Sequence, residues 1–191
     1  MKVVAFNGSP RRKGNTAQSL RVVLDEIEKE GIETELVQLG GRKLFGCLDC
    51  RQCSKLQNRH CARKDDEMNE VLDKLFEAEG VIIGSPTYFG NVTSEVKALI
   101  DRAGIVSGAN GGLLRRKVGA GVIAVRRGGA VSVYSSINHF FAITEMIIPG
   151  STYWNMMFGL EPGDAMEDKE GMRNMINLAQ NMAWLLKKIH A

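Results

Sequence analysis

The chain has 191 residues, 44% hydrophobic and 25% charged, a composition that builds one globular α/β core and requires no second domain. Its 25 Lys and Arg against 22 Asp and Glu leave a net charge of +3, too small a surplus to argue for nucleic acid. No apolar run approaches the roughly 18 residues of a membrane span, and only Val3 to Phe6 precede polar residues at the start; no membrane segment or secretory signal is expected, and the chain reads as cytoplasmic.

Lys2 to Phe6 reads as a buried strand, and a helical pattern at Ala17, Leu20, Val23, Leu24 and Ile27 stops at Gly31, a left-handed cap position. Between them lies F-N-G-S-P-R-R-K-G-N-T, a strand-loop-helix turn that presents free backbone N–H groups and the positive end of the helix dipole. Ser9, Asn15 and Thr16 add short donors there, Arg11 and Arg12 add forked cations, and Gly8 and Gly14 allow close approach, a set suited to a phosphate dianion. Gly8 and Gly14 enclose five residues and Asn15 follows, so this is neither a nucleotide-triphosphate loop nor G-x-G-x-x-G, and a monophosphate fits better. The competing reading is a helix-capping loop with solvated cations.

Glu33 to Leu39 alternates as the second strand and Gly40-Gly41 breaks it. A cysteine-bearing irregular loop follows, and then a helix capped by Asp65 or Asp66 with Met68, Val71, Leu72, Leu75 and Phe76 inward, ending at Gly80. Val81 to Ile83 is the third strand, Ser85 to Asn91 the loop beyond it, Thr93 to Ala103 a helix, and Gly104 to Gly112 a glycine-rich connection. Val118 to Val125 is the fourth strand, residues 130 to 145 a helix, Met146 to Tyr153 a fifth strand broken near Pro149, and Met172 to Ile189 a closing helix. Five strands alternating with five helices give a doubly wound parallel sheet, helices on both faces; a single phosphate turn favours the order 2-1-3-4-5. That order places the Asn7–Thr16 and Ser85–Asn91 loops at one crevice.

Pro86-Thr87-Tyr88-Phe89-Gly90-Asn91 offers an aromatic surface beside backbone N–H groups, and Arg126-Arg127-Gly128-Gly129 supplies a further wall where backbone can approach a ring closely. A planar heterocycle carrying one phosphate would use all of this, and FMN is such a molecule. Packing of Tyr88 and Phe89, and solvation of Arg126 and Arg127, are the alternatives. Cys47, Cys50, Cys53 and Cys61 stand as C-x2-C-x2-C-x7-C with no cysteine elsewhere, and residues 42 to 64 carry seven Lys or Arg against one Asp. Four thiolates so spaced could hold one [4Fe-4S] anion that the cations offset. A zinc site of four thiolates, or of three with His60, and a redox disulfide compete with it.

G-S-P-R-x-K-G-N-T, followed by S-P-T-Y-F-G-N-V-T-S-E-V-K-A-L-I-D-R, resembles the flavodoxin-like NAD(P)H:FMN reductase superfamily, and the cysteine run adds a resemblance to its iron-sulfur flavoprotein family. The fourth cysteine interval is at the long end of that family's range, and the chain departs from relatives after Gly128-Gly129, where a more polar residue is usual. The resemblance implies a flavodoxin-like fold and an FMN-dependent oxidoreductase coupling the cluster to FMN. It further implies ferredoxin or NAD(P)H as donor and oxygen, peroxide or a quinone as acceptor. No side chain need act as acid or base, so no catalytic residue is assigned; His139 and His190 fall on helices. A homodimer or homotetramer is expected, with contacts near residues 93 to 112. The rival is an NAD(P)H-dependent FMN or quinone reductase without a cluster, its cysteines binding zinc or nothing.

Overall fold

The computed structural model describes residues 1–191. Five parallel strands lie in the order β2-β1-β3-β4-β5: β1 Lys2–Asn7, β2 Glu33–Gln38, β3 Gly80–Pro86, β4 Val118–Val125 and β5 Met156–Phe158. Six α-helices connect or follow them: α1 Asn15–Lys29, α2 Gln52–Leu56, α3 Met68–Glu77, α4 Ser94–Ala109, α5 Ala130–Ile143 and α6 Lys169–Ile189. No helix is long and apolar enough to cross a membrane.

The pleat sends alternate residues of each strand to opposite cores. Val3, Ala5, Ile82, Ala120 and Val122 meet Leu20, Leu24, Met175, Leu178 and Met182 of α1 and α6. Val4, Phe6, Val81, Ile83, Ile123 and Val125 meet Leu72, Leu99, Val133, Ile137 and Phe141 of α3, α4 and α5. β3 and β4 are covered on both faces, which is why they read as unbroken apolar runs. Gly31 takes φ +77° just past α1, as its cap position requires.

Four expectations are corrected. The fifth strand is not Met146 to Tyr153: Ile147 makes one isolated bridge to Val118, Pro149-Gly150 carries the chain away, and pairing resumes at Met156–Phe158 opposite Ile123–Val125. Proline cannot continue the ladder, so this edge is made in two pieces. β3 runs on through Ser85 to Pro86, paired with Ile123 and Ala124, which shortens the following loop. α4 continues through Gly104 and Gly108 to Ala109, because burial of Val106 and Ser107 outweighs the roughly 1 kcal/mol that each glycine costs a helix. A one-and-a-half-turn helix, α2, interrupts the cysteine segment and holds Cys53 in the core.

Candidate flavin cleft and cysteine cavity

β1 ends at Asn7, and the turn beyond it is braced from three sides. Gly8 N–H donates to Gly84 O at 2.8 Å, and Thr93 Oγ1 donates to Gly8 O at 3.0 Å. A side chain at Gly8 would put Cβ 2.3 Å from Val96 Cγ2, so only glycine lets the turn lie against β3 and α4. Ser9 N–H donates to Asn7 Oδ1 at 3.1 Å, and Arg11 N–H to Ser9 Oγ at 3.2 Å. Beneath the turn, Gln38 receives Asn7 Nδ2 at 2.7 Å and donates to Ser9 O at 2.6 Å and Gly40 O at 2.8 Å.

Helix α1 then begins with Gly14 in extended backbone, no side chain capping it and no acid in its first turn. The N–H groups of Asn15, Thr16 and Ala17 therefore have no acceptor within the helix, and the dipole's positive end is unopposed. The cleft at this helix end is lined by Ser9, Arg11, Gly14, Asn15 and Thr16, by Pro86, Thr87 and Tyr88 after β3, by Ala124 to Arg126 at the end of β4, and by Gly159 and Leu160. Four segments far apart in the chain meet because the strands that precede them, β1, β3, β4 and β5, are successive neighbours in the sheet.

Of the residues singled out in the sequence, Ser9, Arg11, Asn15, Thr16, Pro86, Thr87, Tyr88 and Arg126 share this cleft, whereas Arg12, Phe89, Gly90, Asn91, Gly128 and Gly129 do not line it. Arg12 lies on the far side of the turn with Lys13 and Arg21. Phe89 and Gly90 take left-handed backbone at the tip of a hairpin in which Tyr88 and Asn91 exchange N–H to O bonds of 3.0 Å, and Phe89 is fully exposed. Gly129, at φ +88°, would place a Cβ 3.1 Å from Gly90 Cα, so the two glycine loops brace each other behind the cleft. The Asn15 side chain donates to Glu161 O at 2.9 Å and accepts from Gly163 N–H at 2.8 Å, which leaves its backbone N–H to face the cleft.

Gly159 and Leu160 enter the cleft because the edge strand pairs at Met156–Phe158, later than the sequence pattern predicts, so no local signal marks them. Gly159 is fixed sterically: a Cβ there would stand 2.6 Å from Ala165 N and 2.8 Å from Asn15 Nδ2.

The four cysteines line a second cavity, with Gly46, Leu48, Asp49, Arg51, Ala62 and Arg63 of the same segment and Arg102, Ile105 and Val106 of α4. Cys53 is buried, Cys47 and Cys61 are partly covered, and Cys50 is exposed; none is in a disulfide. Asp49, Arg51, Gln57 and Arg59 all adopt left-handed backbone, a conformation costing non-glycine residues roughly 1 kcal/mol or more each, and these turns fold the segment back on itself. Asp49 N–H points to Cys47 Sγ at 3.4 Å. No three His, Cys, Asp or Glu side chains stand close enough to hold one metal ion, and His60 Nε2 lies 2.7 Å from Asp73 Oδ1.

Both ends of this segment are tied to α4. Asp66 and Arg102 form an ion pair with both side chains wholly buried. Arg102 also donates to Phe45 O at 3.1 Å and Arg63 O at 3.3 Å, while Asp66 accepts from Phe45 N–H at 2.9 Å and Met68 N–H at 3.3 Å. Burial alone would raise the Asp66 pKa; the Arg102 guanidinium and the two N–H groups outweigh it and hold it below the ordinary value. The Arg63 guanidinium stacks 4.1 Å over the Phe45 ring.

The family model for NADPH-dependent FMN reductases matches residues 1–161. Two iron-sulfur flavoproteins of Methanocaldococcus jannaschii are similar along nearly the full length: one is 38% identical over 99% of both chains, the other 37% identical over 91% of this chain and 90% of its own. Among solved structures, RosB, crystallised with 8-demethyl-8-formylriboflavin-5'-phosphate, superposes with a TM-score of 0.75 at 19% identity over 100% of this chain and 80% of its own, a likeness of fold. The chain thus belongs to the NADPH-dependent FMN reductase family, in its iron-sulfur flavoprotein branch, and is a flavin-dependent oxidoreductase.

Proposed function

We propose that the cleft holds FMN, that the cysteine cavity holds a [4Fe-4S] cluster, and that the protein, in one domain per subunit, passes electrons from ferredoxin or NAD(P)H to a small acceptor such as oxygen, peroxide or a quinone. The observation that carries this reading is the meeting of all four cysteines at one cavity, apart from a phosphate-suited cleft. When bound, the cluster exchanges single electrons and the flavin one or two, so the pair converts between the two kinds of transfer.

The residues present fit both groups. Ser9, Arg11 and the free N–H groups of Asn15 and Thr16 would receive the phosphate; Thr87 and Tyr88 would hold the ring, with Arg126 opposite. Thr87 N–H is itself spent on Ala124 O at 3.0 Å, which fixes the loop's height above the sheet. Cys47, Cys50, Cys53 and Cys61 would each take one iron. The C-x2-C-x2-C run with a fourth thiol at the same cavity suits the corners of one cubane, whereas zinc sites more often take two separated C-x-x-C pairs. Asp49 N–H and the surrounding cations would stabilise the anionic cluster. A dimer or tetramer would shorten the path from cluster to flavin, with α4 as a contact.

Anaerobically purified protein is expected to contain about four iron and four sulfide per FMN. Colourless protein that takes up neither reconstituted cluster nor added FMN would refute the reading, and zinc in place of iron would favour the cluster-free reductase. Arg11→Ala should weaken FMN binding by roughly 10- to 100-fold, the value of one charge-assisted hydrogen bond, in a fluorescence titration. An affinity for riboflavin that falls equally would place Arg11 away from the phosphate.

A further inference from the structure

Arg102 is the largest fully buried side chain in the molecule, at 1% exposure, and its Nε–H has no hydrogen-bond partner although the other guanidinium nitrogens are engaged. An unpaired buried donor on a charged group costs stability unless something else receives it. Arg102 lines the cavity that the four cysteines share. Its partners are backbone and carboxylate groups at residues 45, 63 and 66, which lie just outside Cys47 at one end and Cys61 at the other. The guanidinium thereby closes the segment that carries every cysteine, while its charge is matched by Asp66.

We propose that Arg102 is a positioning residue for the iron-sulfur cluster: it clamps the two ends of the cysteine segment and donates its free Nε–H to a sulfur of the bound cluster. This rests on the cluster reading above. A clamp alone would need only the three bonds already made; that a residue lining the cavity keeps one buried donor unused is what points to a ligand there. Donation to sulfur favours the more negative, reduced state of the cluster, so Arg102 raises its reduction potential. Lysine keeps the charge but has neither the fork nor the Nε–H, so it removes the clamp and the donor while leaving the cation in place.

Two measurements test this. Arg51, Arg63 and Arg102 are the arginines of the cavity wall. In anaerobic Arg51→Lys/Arg63→Lys protein grown with 15N-arginine, pulsed EPR of the reduced cluster should therefore show a 15N coupling from the one arginine left. A folded, cluster-loaded sample without it overturns the proposal and leaves the cluster reading standing. In Arg102→Lys, the midpoint potential should fall and iron should pass to a chelator roughly tenfold faster, with FMN content unchanged. An unchanged potential and release rate would overturn it too, and wild-type protein that forms no cluster overturns both readings together.

Discussion

Replacing Asp66 by alanine is expected to lower the melting temperature by roughly 6–20 °C, measured by circular dichroism on protein prepared without iron. Removing one partner of a buried pair costs about 3–5 kcal/mol because the other charge is left buried and alone, and a chain of this size loses roughly 2–4 °C per kcal/mol. Asp66 has more than one duty: it neutralises Arg102, receives Phe45 N–H and receives the first N–H of α3. All are lost at once. Asp65, one residue earlier, pairs with Arg63 at the surface, and its replacement should leave the melting temperature nearly unchanged. The same carboxylate gives a pH signature. Its pKa is lower folded than unfolded, so its stabilisation is complete above the ordinary aspartate value of about 3.9 and disappears as the pH falls through the lowered folded value. Wild-type protein should lose stability on acidification in that window, and Asp66→Ala should show a shallower loss there. A variant melting within about 2 °C of wild type would mean that Arg102 finds another anion.

Gly40→Ala is expected to weaken FMN binding by at least about a hundredfold, although Gly40 does not line the cleft. Its Cβ would stand 2.3 Å from Ser9 O and 2.5 Å from Pro10 N, atoms of the main chain that cannot rotate aside. The phosphate turn must then lift off β2, breaking the Gln38 bonds to Ser9 O and Gly40 O and misplacing Ser9 and Arg11. Losing two charge-assisted hydrogen bonds, each worth about 1.5–3 kcal/mol, accounts for the factor. Gly150→Ala is the matched control, since its Cβ would meet nothing within 4 Å. Equal FMN affinity in the two variants, by fluorescence titration, would show that the turn's position is immaterial to binding.

Gly40 also shows where sequence reading stopped. It reads as a strand breaker, which it is, but its closeness to Ser9 depends on β2 and β1 lying side by side, a contact between residues thirty-one positions apart. The turn between β1 and α1 was legible because strand, loop and helix are consecutive and each signal is local. The cysteine set was legible through its spacing. Arg102 was hidden: on a helix face among Leu99, Ala103 and Val106 it is one cation in an amphipathic pattern, and nothing local says that it is buried or that Asp66 waits for it. Tyr88 and Phe89 looked equivalent, yet a left-handed turn at Phe89 sends only Tyr88 into the cleft lining.

The amino-acid sequence alone determined the parallel α/β architecture, the order of its strands, the turn suited to phosphate and the four thiols, because hydrophobic period, glycine placement and motif spacing act over a few residues. Tertiary structure decided which side chains share a cavity, where the edge strand pairs, and that a buried arginine closes the cysteine segment. Those outcomes depend on burial and on hydrogen bonds between distant stretches, which come into being only when the sheet assembles and its two faces are covered.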